Sequence, residues 1–299
     1  MTDFIQTFQF VFVPFLVMVA FSAILPAAGC ALYIRNEMML AIALPPLTGA
    51  ALTLGVVLGI PPENHVVLLA ASFIITFSAV IAIGNLRLSE IRRQVFLASL
   101  FACGSVSIHL FMSISPHAHA HLGFLLTGEL LSLGISELFQ ASSLCILSVA
   151  VLFAFRNAVF SYCIDEEMMR LRTGNFGLFS VLYRLMIVAL ISSSVLFIGP
   201  LLTSSLLIFP PLLGDIRRNS IVSFFTLGIL VALIGSIGGF MSGVAMDIPP
   251  ANTASITILV VGIALKIGAS SFTLVKHQSN RLRPSLAPAK TPGTKKEER

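Results

Sequence analysis

Nine stretches of this chain, roughly 8–33, 38–60, 66–85, 95–114, 139–160, 178–199, 201–214, 221–245 and 253–274, run on with scarcely a charge. A helix that crosses a bilayer core needs about 20 predominantly apolar residues, and most of these runs have that length. The seventh is too short to cross untilted and reads as a broken or partly re-entrant segment. The expected fold is therefore an all-α membrane protein, a polytopic bundle of about nine transmembrane helices (eight to ten).

Composition agrees. The 299 residues are 57% hydrophobic and 10% charged, with a mean hydropathy of +0.98. Soluble domains carry about 25% charged residues, so no soluble catalytic domain fits beside the spans. Residues 1–274 form one transmembrane domain. Residues 275–299, rich in Lys, Arg, Pro and Ser, read as a basic, disordered tail. Residues 115–138 have mixed polarity and read as an interfacial helix or loop. The first apolar run lacks a positive segment before it and is long for a signal peptide, so it reads as a retained helix.

A net charge of +5 would suggest nucleic acid in a soluble protein. Here the basic residues flank apolar spans and report topology, so no nucleic-acid partner is expected. With the N-terminus outside and the C-terminus in the cytoplasm, all 18 Lys and Arg residues fall on the inner side. Arg184 and Lys266 lie a few turns inside their spans and are expected to snorkel toward that side. The outer connections then hold Glu63, His65, His117, His119, His121, Glu129, Glu137 and Asp247. A mouth with acids and imidazoles and no fixed positive charge suits a cation. Cys30, Cys103, Cys145 and Cys163 lie in or beside apolar runs without a CxxC pair, and read as small core hydrophobes.

The most distinctive block runs from Ile164 to Asp215. A short polar segment, Asp165 to Gly177, precedes the apolar run 178–199, and Ile198-Gly199-Pro200 then leads into Leu206-Leu207-Ile208-Phe209-Pro210-Pro211. Asp165-Glu166-Glu167, then Arg170 and Gly174, resembles the coupling segment of the permease subunits of bacterial ABC transporters for zinc, manganese and iron. Ile198-Gly199 with Leu201-Leu202 and the run ending at Pro210 is similar to that family's "VGxLLxxALLxxP" block. Gly239, Ser242 and Met246-Asp247-Ile248-Pro249 resemble its "LSYxxDxPxG" turn. Tyr33-Ile34-Arg35 and Leu44-Pro45 fall where the family has a basic turn and "GDALSHAxLPG". At that motif's His this chain has Ala41, and its Asp is Glu37; after the Asp-x-Pro turn, Pro250-Ala251 replaces the small residue and Gly. The agreement in order covers roughly residues 10–275.

The resemblance implies a permease of the bacterial inner membrane that moves a divalent metal ion by alternating access. Segment 161–178 would be its cytoplasmic coupling segment, seated against an ABC ATPase on another chain. Acidic residues in its first turn and Arg170 and Arg172 toward its end suit a helix dipole, Gly174 can end the helix, and Met168, Met169 and Leu171 offer apolar contacts. An ordinary amphipathic loop has the same pattern. No GxxxxGK[ST] phosphate loop occurs, so ATP and Mg²⁺ are expected on the partner subunit and this chain is no enzyme and binds no cofactor of its own. GSIGGFMSG, 235–243, lacks the Lys; its glycines read as sites of close helix packing. The other implied partners are an extracytoplasmic metal-binding protein and a second permease subunit, identical or not.

Five residues are candidate metal ligands. His117, His119 and His121 share a face in an extended strand, and His117 and His121 pair in a helix; neutral imidazoles suit Zn²⁺, and a carboxylate such as Glu129 would admit Mn²⁺ or Fe²⁺. A polar loop without a ligand accounts for them equally. His109 lies within the fourth span, where an ionisable residue is either a pathway group or a hydrogen-bonding partner for a neighbouring helix. Glu37 at the inner mouth of the second span is an exit ligand or a solvated helix start. Asp247 before Pro249 is expected to fix a tight outer turn and cap the last span. Pro45, Pro200 and Pro210 interrupt spans and kink or end helices, with Gly199 beside them.

An ion-gradient-driven secondary transporter is the first alternative. It would want a carboxylate in mid-membrane, and the spans hold none near their middle. A non-transport membrane scaffold is the second; it would not need the polar lever. A membrane-embedded enzyme lacks an HExxH or a paired intramembrane Asp motif.

Overall fold

The computed structural model describes residues 2–61, 64–85, 89–114, 139–140, 142–143, 146, 176–214 and 220–281. Seven long helices account for nearly all of them: α1 Thr2–Ile34, α2 Met38–Val57, α3 His65–Asn85, α4 Glu90–Ile114, α5 Phe176–Gly214, α6 Ile221–Ala245 and α7 Pro250–Arg281. All seven are long and apolar enough to cross a membrane. In lipid each backbone donor and acceptor needs a partner within the chain, and a helix supplies one locally. The continuous apolar runs therefore become helices.

Eight of the nine expected spans fall within these seven helices. The sixth and seventh share α5, which is interrupted at Gly199, with φ 81° and ψ 161°. The fifth, 139–160, lies outside the described residues except for five positions. The last helix continues to Arg281, so the start of the expected disordered tail is helical.

α5 is the hub. In its most apolar stretch 83% of residues are buried within the chain, against 17% for α4 and 22% for α7. It packs on α1, α2, α3, α6 and α7, and Ile187, Val188, Ile191, Ile198, Leu202, Leu206 and Leu207 join one continuous core with Phe21, Leu25, Leu44, Phe240 and Ile258. The outer helices keep one face apolar and exposed, as with Val95, Val106 and Leu110 on α4, which suits lipid.

α4 lies on the proline-bearing stretch of α2. A Cβ at Gly104 would come within 2.9 Å of the Leu47 amide nitrogen and 3.0 Å of the Pro46 carbonyl carbon, so only glycine allows this approach. The glycine-rich stretch 235–243 behaves as the sequence suggested. Gly235 and Gly239 face the backbone of α7 at Ile258 and Ala254, the small-residue packing that draws helices together in lipid. Cys30 is buried as expected, whereas Cys103 is exposed on α4, because that face of α4 meets no other described helix. Cys145 and Cys163 lie outside the described residues.

Candidate transport site

The buried polar groups of the bundle are hydroxyls. Ser22 on α1 donates to Ser236 on α6 at 2.8 Å, and Thr48 on α2 meets Thr76 on α3 at 3.2 Å. Ser192, Ser193, Ser194 and Thr203 on α5 are all buried. Ser193 and Ser194 return their protons to carbonyls of their own helix, Leu190 and Ile191. The Ser192 Oγ is fully buried and has no hydrogen-bond partner among the described residues. A buried hydroxyl without a partner costs about 1–3 kcal/mol, so such a group marks a place where something else can bond or where the helices rearrange.

These hydroxyls flank the break in α5. Thr203 donates to the Gly199 carbonyl at 2.7 Å and stands 3.2 Å from the Ser194 Oγ. In a straight helix these two residues would lie about 13 Å apart along the axis, so the chain bends sharply at Gly199. Its φ and ψ lie in a region essentially closed to side-chain-bearing residues. Pro200 follows without an amide proton, so the break leaves no amide orphaned there. Pro210 and Pro211 are buried farther along α5, and Pro45 and Pro46 in α2. Broken helices of this kind, inside a bundle rather than against lipid, are where membrane transporters place their pathways.

One end of the bundle gathers charge. The Arg35 Nη2 lies 3.3 Å from the Glu37 Oε1, with side chains only 6% and 14% exposed. The Arg35 guanidinium also sits over the Tyr183 ring, 5.5 Å from its centroid, a cation–π contact. Glu37 precedes α2, where its carbonyl accepts from the Leu40 amide at 2.9 Å and its side chain caps no amide. The neighbouring Arg35 guanidinium holds its carboxylate. Arg184 reaches from within its helix toward this same charged end, as a snorkelling side chain does. Its guanidinium lies against Gly84 at the end of α3, in the space a side chain there would fill. Lys266 is exposed.

Of the other sequence-derived candidates, the structure describes His109, Asp247 and Pro249. His109 is exposed on α4, turned away from the buried hydroxyls, beside the buried Ile108. Ala41, where the resembled motif has His, is fully buried. Among the described residues no group of three or more His, Cys, Asp and Glu could hold a metal ion. His117, His119, His121, Glu129 and the coupling residues Asp165, Glu166, Glu167, Met168, Met169, Arg170, Leu171, Arg172 and Gly174 lie outside the described residues. Asp247 takes φ 55° in the turn between α6 and α7, where the Ile248 amide closes on the Gly243 carbonyl at 3.0 Å. α7 begins at Pro250 with Pro249 before it, so Asp247 shapes the turn without standing at the cap position.

Sequence reasoning passed over the hydroxyl pairs and the partners of Arg35 and Arg184. The signal for the hydroxyls was present in Ser192-Ser193-Ser194 and Thr203-Ser204-Ser205, two polar triplets either side of a Gly-Pro in an otherwise apolar stretch.

Comparison with known proteins gives concordant results. The zinc-uptake membrane protein ZnuB of Buchnera aphidicola is 25% identical over 181 residues, 59% of this chain and 68% of that protein. A metal transport system membrane protein of Thermotoga maritima is 25% identical over 192 residues, 63% of this chain and 65% of that protein. Among solved structures, a chain of the PsaBC–Fab complex from Streptococcus pneumoniae superposes with a TM-score of 0.72 at 15% identity, covering 88% of this chain and 94% of that one. An inward-facing ABC transporter described as of the metal-chelate type gives 0.59 at 15% identity, covering 91% and 88%. These two likenesses establish the fold. The sequence model of the ABC 3 transport family matches residues 7–270; this chain is a multi-pass membrane protein and belongs to that family.

Proposed function

We propose that this chain is the membrane-spanning permease of an ATP-driven importer for a divalent metal ion such as zinc, manganese or iron, in a bacterial inner membrane. The observation that carries the reading is the family match over residues 7–270. Two curated metal-transport relatives support the cargo class, and the hub helix broken at Gly199 amid buried hydroxyls gives a bundle that can switch its packing.

In this reading the N-terminus is outside and the end that gathers Arg35, Arg93 and Arg184 faces the cytoplasm, following the bias of Lys and Arg. A separate ATPase seats against Asp165–Gly174 and pushes on α5. A metal-binding protein delivers the ion to the outer mouth, where His117, His119 and His121 are candidate first ligands. A second permease subunit completes the pathway. The two halves of α5 rotate about Gly199, the hydroxyl contacts exchange, and the pathway opens to the other side.

Uptake of metal by cells that co-express this chain with its ATPase tests the proposal. Gly174→Pro, which disrupts the coupling segment, is expected to abolish uptake while the protein still inserts. Uptake that survives this change in a well-inserted protein would overturn the assigned lever.

A further inference from the structure

A small cavity opens at the charged end of the bundle, between the start of α2, the end of α3, the first turns of α4 and α5. It is lined by Asn36, Glu37, Arg93, Gln94 and Arg184 over an apolar floor that includes Val80, Ile83 and Leu97. Its volume is about 40 Å³, more than a single water needs, and it is open at the surface, so a small polar group can enter.

Its charge is one-sided. Among the described residues the only carboxylate in the lining, Glu37, is already engaged by Arg35. Arg93 and Arg184 are both half-buried, and among the described residues neither has a carboxylate partner. Among the described residues, then, two guanidinium charges line the cavity without a compensating carboxylate, with the amides of Asn36 and Gln94 as further hydrogen-bonding groups. Such a pocket repels a free metal cation and receives an anion, and planar guanidinium forks match the oxygens of a phosphate.

The depth fits a particular source. The lining positions lie within about two turns of the ends of α2, α3 and α4, hence within about 10 Å of the span ends, the level of lipid headgroups. On the opposite side of α4 from the lining, Ile91, Val95 and Phe96 are exposed, so this end of the helix has an apolar outer face that lipid can cover. Basic pockets between transmembrane helices are recognised sites for anionic lipid headgroups. The Arg184 guanidinium occupies the space that a side chain at Gly84 would fill.

We propose that this cavity binds the phosphate of an anionic phospholipid, held by Arg93 and Arg184. The inference rests on the chain spanning a membrane and is independent of its cargo.

The test is retention of lipid by the purified full chain, reconstituted with equal phosphatidylglycerol and phosphatidylcholine of the same acyl chains and then delipidated stepwise under native mass spectrometry. The wild type is expected to keep phosphatidylglycerol selectively. Arg93→Gln with Arg184→Gln should weaken that retention by roughly tenfold, as expected for the loss of charged hydrogen bonds. Gly84→Ala, which displaces the Arg184 guanidinium without removing a charge, should weaken it several-fold. Arg92→Gln, at an exposed neighbour outside the cavity, should leave it unchanged. Equal retention by wild type and the double variant, or an equal loss in Arg92→Gln, would overturn the site. Displacement of the lipid by added inorganic phosphate would overturn the lipid as its source.

Discussion

The Thr203 Oγ1 and the Ser194 Oγ stand 3.2 Å apart although nine residues separate them, and this contact across the break at Gly199 ties together the two halves of the helix at the centre of the bundle. The first half, through Val188, Ile191 and Val195, and the second, through Leu202, Leu206 and Leu207, bury themselves in the same core. A change in the bend would therefore be felt by nearly every neighbouring helix.

Gly199 holds φ 81°, so Gly199→Ala forces a side chain into a backbone region that costs about 1–3 kcal/mol. We expect a drop of that size in unfolding free energy, measured in detergent micelles, with a larger loss of transport than of folded protein. Thr203→Val removes the hydroxyl contacts and keeps the shape; hydrogen bonds between membrane helices average about 0.6 kcal/mol, so its cost should be the smaller of the two. Equal stability of wild type and Gly199→Ala would show that the bend is not held at this residue.

Gly104 faces the backbone at Pro46 and Leu47, which cannot move aside as a flexible side chain can. Gly104→Leu is therefore expected to separate α4 from α2 and to destabilise by about 1–3 kcal/mol or more, the cost of overpacking a tight interface. Thermal unfolding followed by labelling of the buried Cys30 would report it, because that thiol becomes reachable at a lower temperature when the bundle is less stable.

Removing the Glu37 charge leaves Arg35 without its carboxylate in a nearly buried position. Breaking a buried pair costs about 3–5 kcal/mol, and less where water reaches the site, as it can at the end of the spans. Glu37→Gln should therefore lower stability by about 1–3 kcal/mol. Arg35→Gln combined with Glu37→Gln should recover part of that loss, which a double-mutant cycle measures directly. A double variant less stable than the sum of the single ones would refute the pairing.

The helical spans were legible because lipid leaves the backbone one local solution, so uninterrupted apolar runs translate directly into helices. The meeting of Gly199 and Pro200 was legible as punctuation. The bend was not, since the same dipeptide can end one span and begin the next; tertiary packing around Thr203 and Ser194 decides it. Glu37 was visible as a charge at a span boundary, but its engagement by Arg35 depends on a side-chain geometry that spacing does not determine. Arg184 was expected to reach toward the end of the bundle and does so, but the space beside Gly84 in which it lies, a hundred residues away, is set by tertiary packing. Cys103 belongs to an apolar run yet is exposed, because hydrophobicity alone does not say which face of a membrane helix meets lipid and which meets protein.

The most direct test of the central claim is metal uptake into proteoliposomes holding this chain, its ATPase and its binding protein, measured with ATP present and with ionophores abolishing every ion gradient. The account predicts that uptake requires ATP and the ATPase and persists when the gradients are collapsed. Uptake that proceeds without the ATPase and stops when a gradient is collapsed would contradict it and identify the chain as a gradient-driven transporter.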